Sequence, residues 1–196
     1  MDIVDIVCSL RNDNKALGRL LSANGVGIEG GSSPDKRLYL LSLIFSCNAQ
    51  LVYEIGFNSG CMAAAMARAL EYTGGKYVGF DIKSDLVVAF DYLNNKYNCP
   101  MEAVWGDSTE TVPTRSLTTG ESPDIVFVDG GHTPEVLSAD IHNSLSCVKA
   151  GGYIVVDDAL DPSLKPTIIS ILGEDKIHWV YGFHQLDTGL AVYQVK

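Results

Sequence analysis

The chain has 196 residues, 46% of them hydrophobic and 19% charged, the balance of an ordinary folded protein with one sizeable core and not of a disordered tract. A net charge of −10 and a pI near 4.7, with Lys and Arg dispersed, argue against a surface that grips phosphate backbones or acidic membranes. No apolar run reaches the ~18 residues of a membrane span, no signal-peptide pattern opens the sequence, and five scattered cysteines without a C-x-x-C pair indicate free thiols in a reducing, cytoplasmic setting and not disulfides or a zinc site.

Residues 1–22 carry a rough helical stripe, from Ile3 and Val4 to Leu20 and Leu21, with Asn12-Asp13-Asn14 as a break. Residues 24–34 read as a loop rich in glycine. Ser33-Pro34 then supplies a cap and a first-turn proline for a helix that ends near Cys47. A buried strand follows at 51–55, then a glycine loop, Gly56-Phe57-Asn58-Ser59-Gly60, and a helix over about 59–72 stopped by Gly74-Gly75.

A regular alternation continues from there. Strand two, 77–80, ends on Asp81, and a helix runs from about Ser84 to Tyr97. Strand three, Met101–Trp105, ends in Gly106-Asp107-Ser108, and 109–122 read as mixed and turn-rich. Strand four, 124–128, ends in Asp129-Gly130-Gly131-His132, and Thr133-Pro134 opens a helix to about Val148. Strand five, Tyr153–Val156, ends in Asp157-Asp158; a short helix near 163–172 follows, and two β-rich runs at 177–183 and 190–195 close the chain. Alternating strands and helices predict an α/β three-layer sandwich of Rossmann-like type, a seven-stranded, mostly parallel sheet with a C-terminal antiparallel hairpin. One domain is expected, with 1–48 as a helical, lid-like extension and 50–196 as the core.

The glycine loop lacks the middle glycine of G-x-G-x-x-G and the Gly-Lys-Ser/Thr of a phosphate loop. Glu54, just before its first glycine, would repel a pyrophosphate and suits a ligand with an ammonium or sulfonium. Glu54-x-Gly56-x-x-x-Gly60 after a first strand resembles the first motif of class I S-adenosylmethionine (SAM)-dependent methyltransferases, over roughly residues 35–196. The resemblance implies SAM binding by Glu54, Gly56, Phe57, Asn58, Ser59 and Gly60, by Asp81 and Ile82 at the ribose, by Asp107 and Ser108 at the adenine, and by Asp129. Phe57 and Trp105 stand where a ring would pack on adenine, though aromatic residues at strand ends more often belong to the core. The 24–34 loop is where such proteins carry a lid, and its glycines permit motion.

Asp129, Asp157 and Asp158 end strands that the family fold places side by side. Converging carboxylates repel unless a cation lies between them, and oxygen ligands suit Mg²⁺, Ca²⁺ or Mn²⁺. The arrangement is similar to the catechol-type, metal-dependent O-methyltransferases and to small methyltransferases with a D-G-x-H signature. Two positions depart from the catechol type: Asp157-Asp158 replaces Asp-Asn, and His132 stands where its catalytic Lys would be. Asp129 and His132 are therefore the catalytic candidates, with His132 as general base. The expected activity is SAM-dependent methyl transfer to a hydroxyl of a small molecule, metal-assisted. Two alternatives stand beside it. One is an RNA-cap methyltransferase using Lys36, Asp129, Lys165 and Glu174, against which the acidity weighs. The other is a non-catalytic SAM-binding partner module. No membrane partner is expected, and a homodimer is compatible with the reading.

Overall fold

The computed structural model describes residues 3–27, 33–181 and 188–196. Seven strands form one sheet: β1 (Leu51–Ile55), β2 (Lys76–Asp81), β3 (Met101–Trp105), β4 (Ile125–Val128), β5 (Tyr153–Val156), β6 (Ile177–Val180) and β7 (Leu190–Gln194), in the order β3-β2-β1-β4-β5-β7-β6. The first five pair in parallel, and β7 runs antiparallel to both β5 and β6. The expected seven-stranded sheet with an antiparallel ending is therefore the observed one; residues 182–187 between the closing strands lie outside the described residues. Because β1 has β2 on one side and β4 on the other, the chain reverses direction across the sheet at β1. A crevice opens there at the carboxyl ends of the strands, where sheets of this kind bind ligands.

The period-two alternation of the strands sorts the core into two layers. Val52, Tyr77, Ile125, Phe127 and Val155 face one layer, covered by α1 (Ile3–Ala23), α2 (Pro34–Ser46), α3 (Cys61–Thr73) and α4 (Val87–Lys96). Tyr53, Ile55, Val78, Phe80, Val126, Val128, Ile154 and Val156 face the other, under α5 (Ser108–Thr119), α6 (Pro134–Cys147) and α7 (Lys165–Leu172). Ala63, Ala64, Ala65 and Ala67 of α3 are wholly buried and let α2 and α3 approach closely. No helix among the described residues is long and apolar enough to cross a membrane.

Two local expectations fail, for identifiable reasons. The helix at the N-terminus does not break at Asn12-Asp13-Asn14. Asp13 points inward with no exposed surface and accepts from the hydroxyls of Tyr92 (3.3 Å) and Tyr97 and from Lys96 on α4. A residue that reads locally as a breaker is thus the polar anchor of α1. Residues 109–122 are largely helical and not turn-rich. Asp107 caps α5 by accepting from the Thr109 amide at 2.9 Å, and although Pro113 cannot bond back to Thr109, Asn143 Nδ2 takes that carbonyl at 3.2 Å. The Ser33 and Thr133 caps form as expected, their hydroxyls accepting from Lys36 N and Val136 N.

Candidate active site

The centre of the site is the turn from β1 into α3. Gly56, at φ +94°, lies against the end of β4: a Cβ on it would fall 1.9 Å from the Asp129 carbonyl oxygen. Asn58 (φ +45°) and Gly60 (φ +78°) complete a left-handed turn, and α3 begins at Gly60 with no side chain capping its amides. Asp81, at the end of β2, holds this turn. Its Oδ2 accepts from the Asn58 amide and its Oδ1 from the Lys83 amide, each at 2.8 Å.

Glu54 shares the parity of Val52 and so enters the layer beneath α3, 1% exposed. Its register partner on β2 is Gly79, where a Cβ would lie 2.5 Å from the Tyr77 hydroxyl. The missing side chain leaves room for Tyr77 to reach across and donate its phenolic hydrogen to Glu54 Oε2. Oε1 is buried with no hydrogen-bond partner among the described residues. Burial, only partly offset by Tyr77, pushes the Glu54 carboxyl well above the ordinary carboxylate range.

A second cluster forms where β4 and β5 end. His132 Nε2 is 2.9 Å from Asp158 Oδ2 and 3.9 Å from Asp129 Oδ1. Asp158 adopts φ +51° and also accepts from the Thr188 hydroxyl. The hydrogen bond from His132, helped by Thr188 and Lys36, holds the Asp158 carboxyl down at about 2; the same hydrogen bond raises His132. Burial and the neighbouring Asp157, Glu54 and Asp158 push Asp129 the other way, well above its usual value.

The expected trio of Asp129, Asp157 and Asp158 lines one rim, where a second set of ligand atoms also meets. Ligand atoms of Asp129, His132 and Asp158 lie within 4.8 Å of one another. Asp157, 7% exposed, is engaged through its Oδ1, by Lys36 Nζ at 2.5 Å and by the Asp158 amide at 2.7 Å. Two carboxylates with one imidazole form a mixed oxygen–nitrogen set, which suits Mn²⁺ or a similar first-row ion better than an all-oxygen Mg²⁺ site.

Both clusters open into one cavity of about 770 Å³. Glu54, Gly56, Phe57, Asn58, Ser59, Asp81, Ile82, Asp107, Ser108, Asp129, His132, Asp157 and Asp158 all line it, with Lys36 and Thr188. Three of these carry other tasks. The Phe57 ring, 2% exposed, packs edge-on against Phe90 and Trp105 at 5.9 and 6.3 Å, so it is not a platform for a ligand ring. Ser59 donates to Cys61 Sγ at 3.2 Å. Asp107 is committed through Oδ1 to capping α5, whereas Ile82 is 69% exposed beside the ribose candidate Asp81. Of the four residues weighed for an RNA-cap site, Lys36 and Asp129 line the cavity; Lys165 instead lies over the Trp179 ring at 4.9 Å, and Glu174 sits in a short turn before β6.

Sequence reasoning missed Tyr77, Thr188 and the inward course of Lys36, all of which act across long sequence separations. It also missed Asp140, which is fully buried on α6 behind Gly130. Neither of its oxygens makes a hydrogen bond of ordinary length, Ser108 offsets burial only in part, and its carboxyl rises to about 6. The one legible signal was Asp140 falling on the buried stripe with Leu137 and Ile141.

Residues 53–159 match the family model of a methyltransferase domain. No curated protein matches the sequence. Among solved structures, the chain is similar to an O-methyltransferase from Bacillus cereus in complex with SAH (18% identity, 94% of this chain and 91% of that one, TM-score 0.78). It is also similar to cofactor-bound Rv0187 from MTB (21% identity, 94% and 89%, TM-score 0.77). A third is the O-methyltransferase TomG from Streptomyces achromogenes, involved in tomaymycin synthesis and solved with SAM (18% identity, 94% and 89%, TM-score 0.73). At these identities the likeness is one of fold.

Proposed function

The chain belongs to the methyltransferase-domain family, and from that premise we propose that it transfers a methyl group from SAM to a hydroxyl of a small molecule, with a divalent cation assisting. The observation that carries this reading is the shared cavity. The glycine turn with Glu54 and Asp81, and the rim of Asp129, His132 and Asp158, line the same space.

The donor side fits SAM chemically. A buried carboxylate oxygen without a partner, Glu54 Oε1, awaits a donor or a cation, and the uncapped start of α3 leaves amides free for polar atoms of the ligand. Asp81, fixed by two main-chain amides at the mouth of the turn, would accept the ribose hydroxyls. SAM supplies an electrophilic methyl on its sulfonium, so the protein's tasks are to align the acceptor and remove its proton.

On the acceptor side, His132 is 62% exposed at its side chain and faces the cavity, with Asp158 fixing its orientation. It takes the acceptor proton, and Asp158 stabilises the imidazolium that results. With a divalent cation bound, Asp129, His132 and Asp158 would hold it, His132 then acting as ligand in place of base, and the cation would supply Lewis acidity that lowers the pKa of a nearby hydroxyl. A metal-free variant of the reading is favoured by one observation. The 2.9 Å contact engages His132 Nε2 with Asp158, an orienter–base pair complete in itself.

A small acceptor is favoured over a nucleic acid by the net charge of −10 and by the dispersal of Lys165 and Glu174 away from the cavity. Five unpaired cysteines fit a reducing compartment such as the cytoplasm. The test has two parts. Calorimetry with S-adenosylhomocysteine is expected to give binding that Asp81→Ala severely weakens. Transfer of labelled methyl to a panel of small hydroxylated acceptors, with and without EDTA, is expected to be His132-dependent. EDTA-sensitive transfer supports the metal, EDTA-insensitive transfer the His132–Asp158 pair alone. SAM binding with no transfer to any acceptor in a metal-supplemented screen would favour a non-catalytic module.

A further inference from the structure

Lys36 is the third residue of α2, and its position there follows from the Ser33 cap and Pro34 at the first turn. Lysine is rarely buried unless paired, yet this side chain is only 9% exposed. Its ammonium reaches out of the helical extension and into the end of β5. It lies 2.5 Å from Asp157 Oδ1, 3.6 Å from Asp158 Oδ1 and 3.1 Å from Thr188 Oγ1. The rim thus contains two places for positive charge. One, between Asp157 and Asp158, holds Lys36. The other, among Asp129, His132 and Asp158, is where the proposed metal would sit.

We propose that Lys36 is a tethered cation of the acidic rim: it fills the Asp157–Asp158 position permanently and so limits the rim to a single divalent ion at Asp129, His132 and Asp158. Formal charge supports this division. Three carboxylates, each ionised when a cation faces it, carry −3; the ammonium leaves −2, which one divalent ion balances. A second divalent ion between Asp157 and Asp158 would have to displace Lys36 from a pocket where three oxygens already surround it. Lys36 is in this sense a positioning residue: it sets the charge and the side-chain directions of Asp157 and Asp158 without itself touching the reacting atoms. It also ties α2, which lies outside the stretch matching the family model, to the site in the core.

The inference rests on the proposed divalent site, and a binding measurement separates the two. Mn²⁺ is titrated into the full-length protein without SAM or acceptor, free Mn²⁺ being read by electron paramagnetic resonance. Wild type is expected to bind one ion per chain. Lys36→Met is expected to bind Mn²⁺ at least about tenfold more tightly, because a repelling charge 3.6 Å from a ligand carboxylate is gone. Lys36→Arg should stay near wild type. The double variant Lys36→Met with Asp157→Asn restores the rim charge to −2; it should return to within about threefold of wild type, and it guards against a fold defect from an unpaired buried Asp157. Wild-type affinity in Lys36→Met, or no Mn²⁺ bound by either protein, overturns the proposal. Equal tight binding in both leaves the divalent site standing without this role for Lys36. Binding by Lys36→Met alone overturns the proposal as well, because wild type is then left with no divalent ion at Asp129, His132 and Asp158.

Discussion

Tyr77 donates its phenolic hydrogen to Glu54 from β2 to β1, through the gap that Gly79 leaves. The contact ties a tyrosine in the core to the acid before the glycine turn and satisfies one carboxylate oxygen, while the other has no partner among the described residues. Tyr77→Phe removes the donor and strands the whole carboxylate in a dry layer. A loss of about 1–3 kcal/mol in urea unfolding is expected, together with weaker S-adenosylhomocysteine binding. Unfolding indistinguishable from wild type would mean that the contact carries no weight.

Glu54→Gln separates stability from binding. A carboxyl raised by burial contributes most to stability below its unfolded pKa, and that contribution is lost as pH rises towards the folded value. The amide has no such penalty. The variant's thermal stability relative to wild type should therefore improve from pH 5 to pH 8, while its affinity for S-adenosylhomocysteine falls at least about tenfold through loss of a charge-assisted partner. A pH-independent difference in melting temperature would contradict the buried, unpaired state of Glu54.

The rate should follow the His132–Asp158 pair. Asp158 stays ionised down to about pH 2, and its hydrogen bond raises His132 above 6.5. His132 is a base only when neutral, so kcat/KM should rise with pH to a plateau, with a midpoint above that value. Asp158→Asn removes the anion; the midpoint should shift downward and the plateau rate drop. A profile flat from pH 5.5 to 8.5 would exclude His132 as the base.

Asp140 predicts a pH-dependent stability unconnected with catalysis. Burial moves its carboxyl from 3.8 to about 6, so its contribution is fully present below about pH 4 and lost as pH rises through about 6. Asp140→Asn should remove that slope and stabilise the protein at pH 8 by an amount on the order of 3 kcal/mol. Urea titrations at pH 4.5 and pH 8 decide it, and identical slopes in both proteins would disprove it.

Gly56→Ala tests the closeness of β1 and β4. The added methyl would meet the Asp129 carbonyl at 1.9 Å, and φ +94° is itself unfavourable for alanine. A stability loss of at least about 2 kcal/mol is expected, with S-adenosylhomocysteine binding lost. Wild-type affinity would show that the turn can open without harm to the site.

The order of strands and of most helices was legible because each buried parallel strand is a short apolar run and several helices bear a cap or glycine stop. Ser33-Pro34 and Thr133-Pro134 mark their helices correctly since capping is a contact over three residues. The acids at strand ends were legible for a related reason: in a parallel sheet every carboxyl end faces the same crevice, so Glu54, Asp81, Asp129, Asp157 and Asp158 had to meet there. Local signals failed where a distant partner outweighed them. Asp13, read as part of a break, was decided by Tyr97, and residues 109–122, read as turn-rich, stay helical with Asn143 taking the carbonyl that Pro113 leaves.

The sequence by itself determined the sheet, the turn after β1 and the set of acids around the cavity, since these depend on hydrophobic period, glycine freedom and strand direction. Only the tertiary structure decided how those acids divide. Their pairing depends on which cation or imidazole arrives from elsewhere in the chain: Lys36 from α2 takes Asp157, and His132 from the loop after β4 takes Asp158. Electrostatic partnership falls off over a few ångströms and is blind to sequence separation. A pattern of residues could therefore name the carboxylates of the rim, but the fold was needed to say which of them pairs with His132 and which with Lys36.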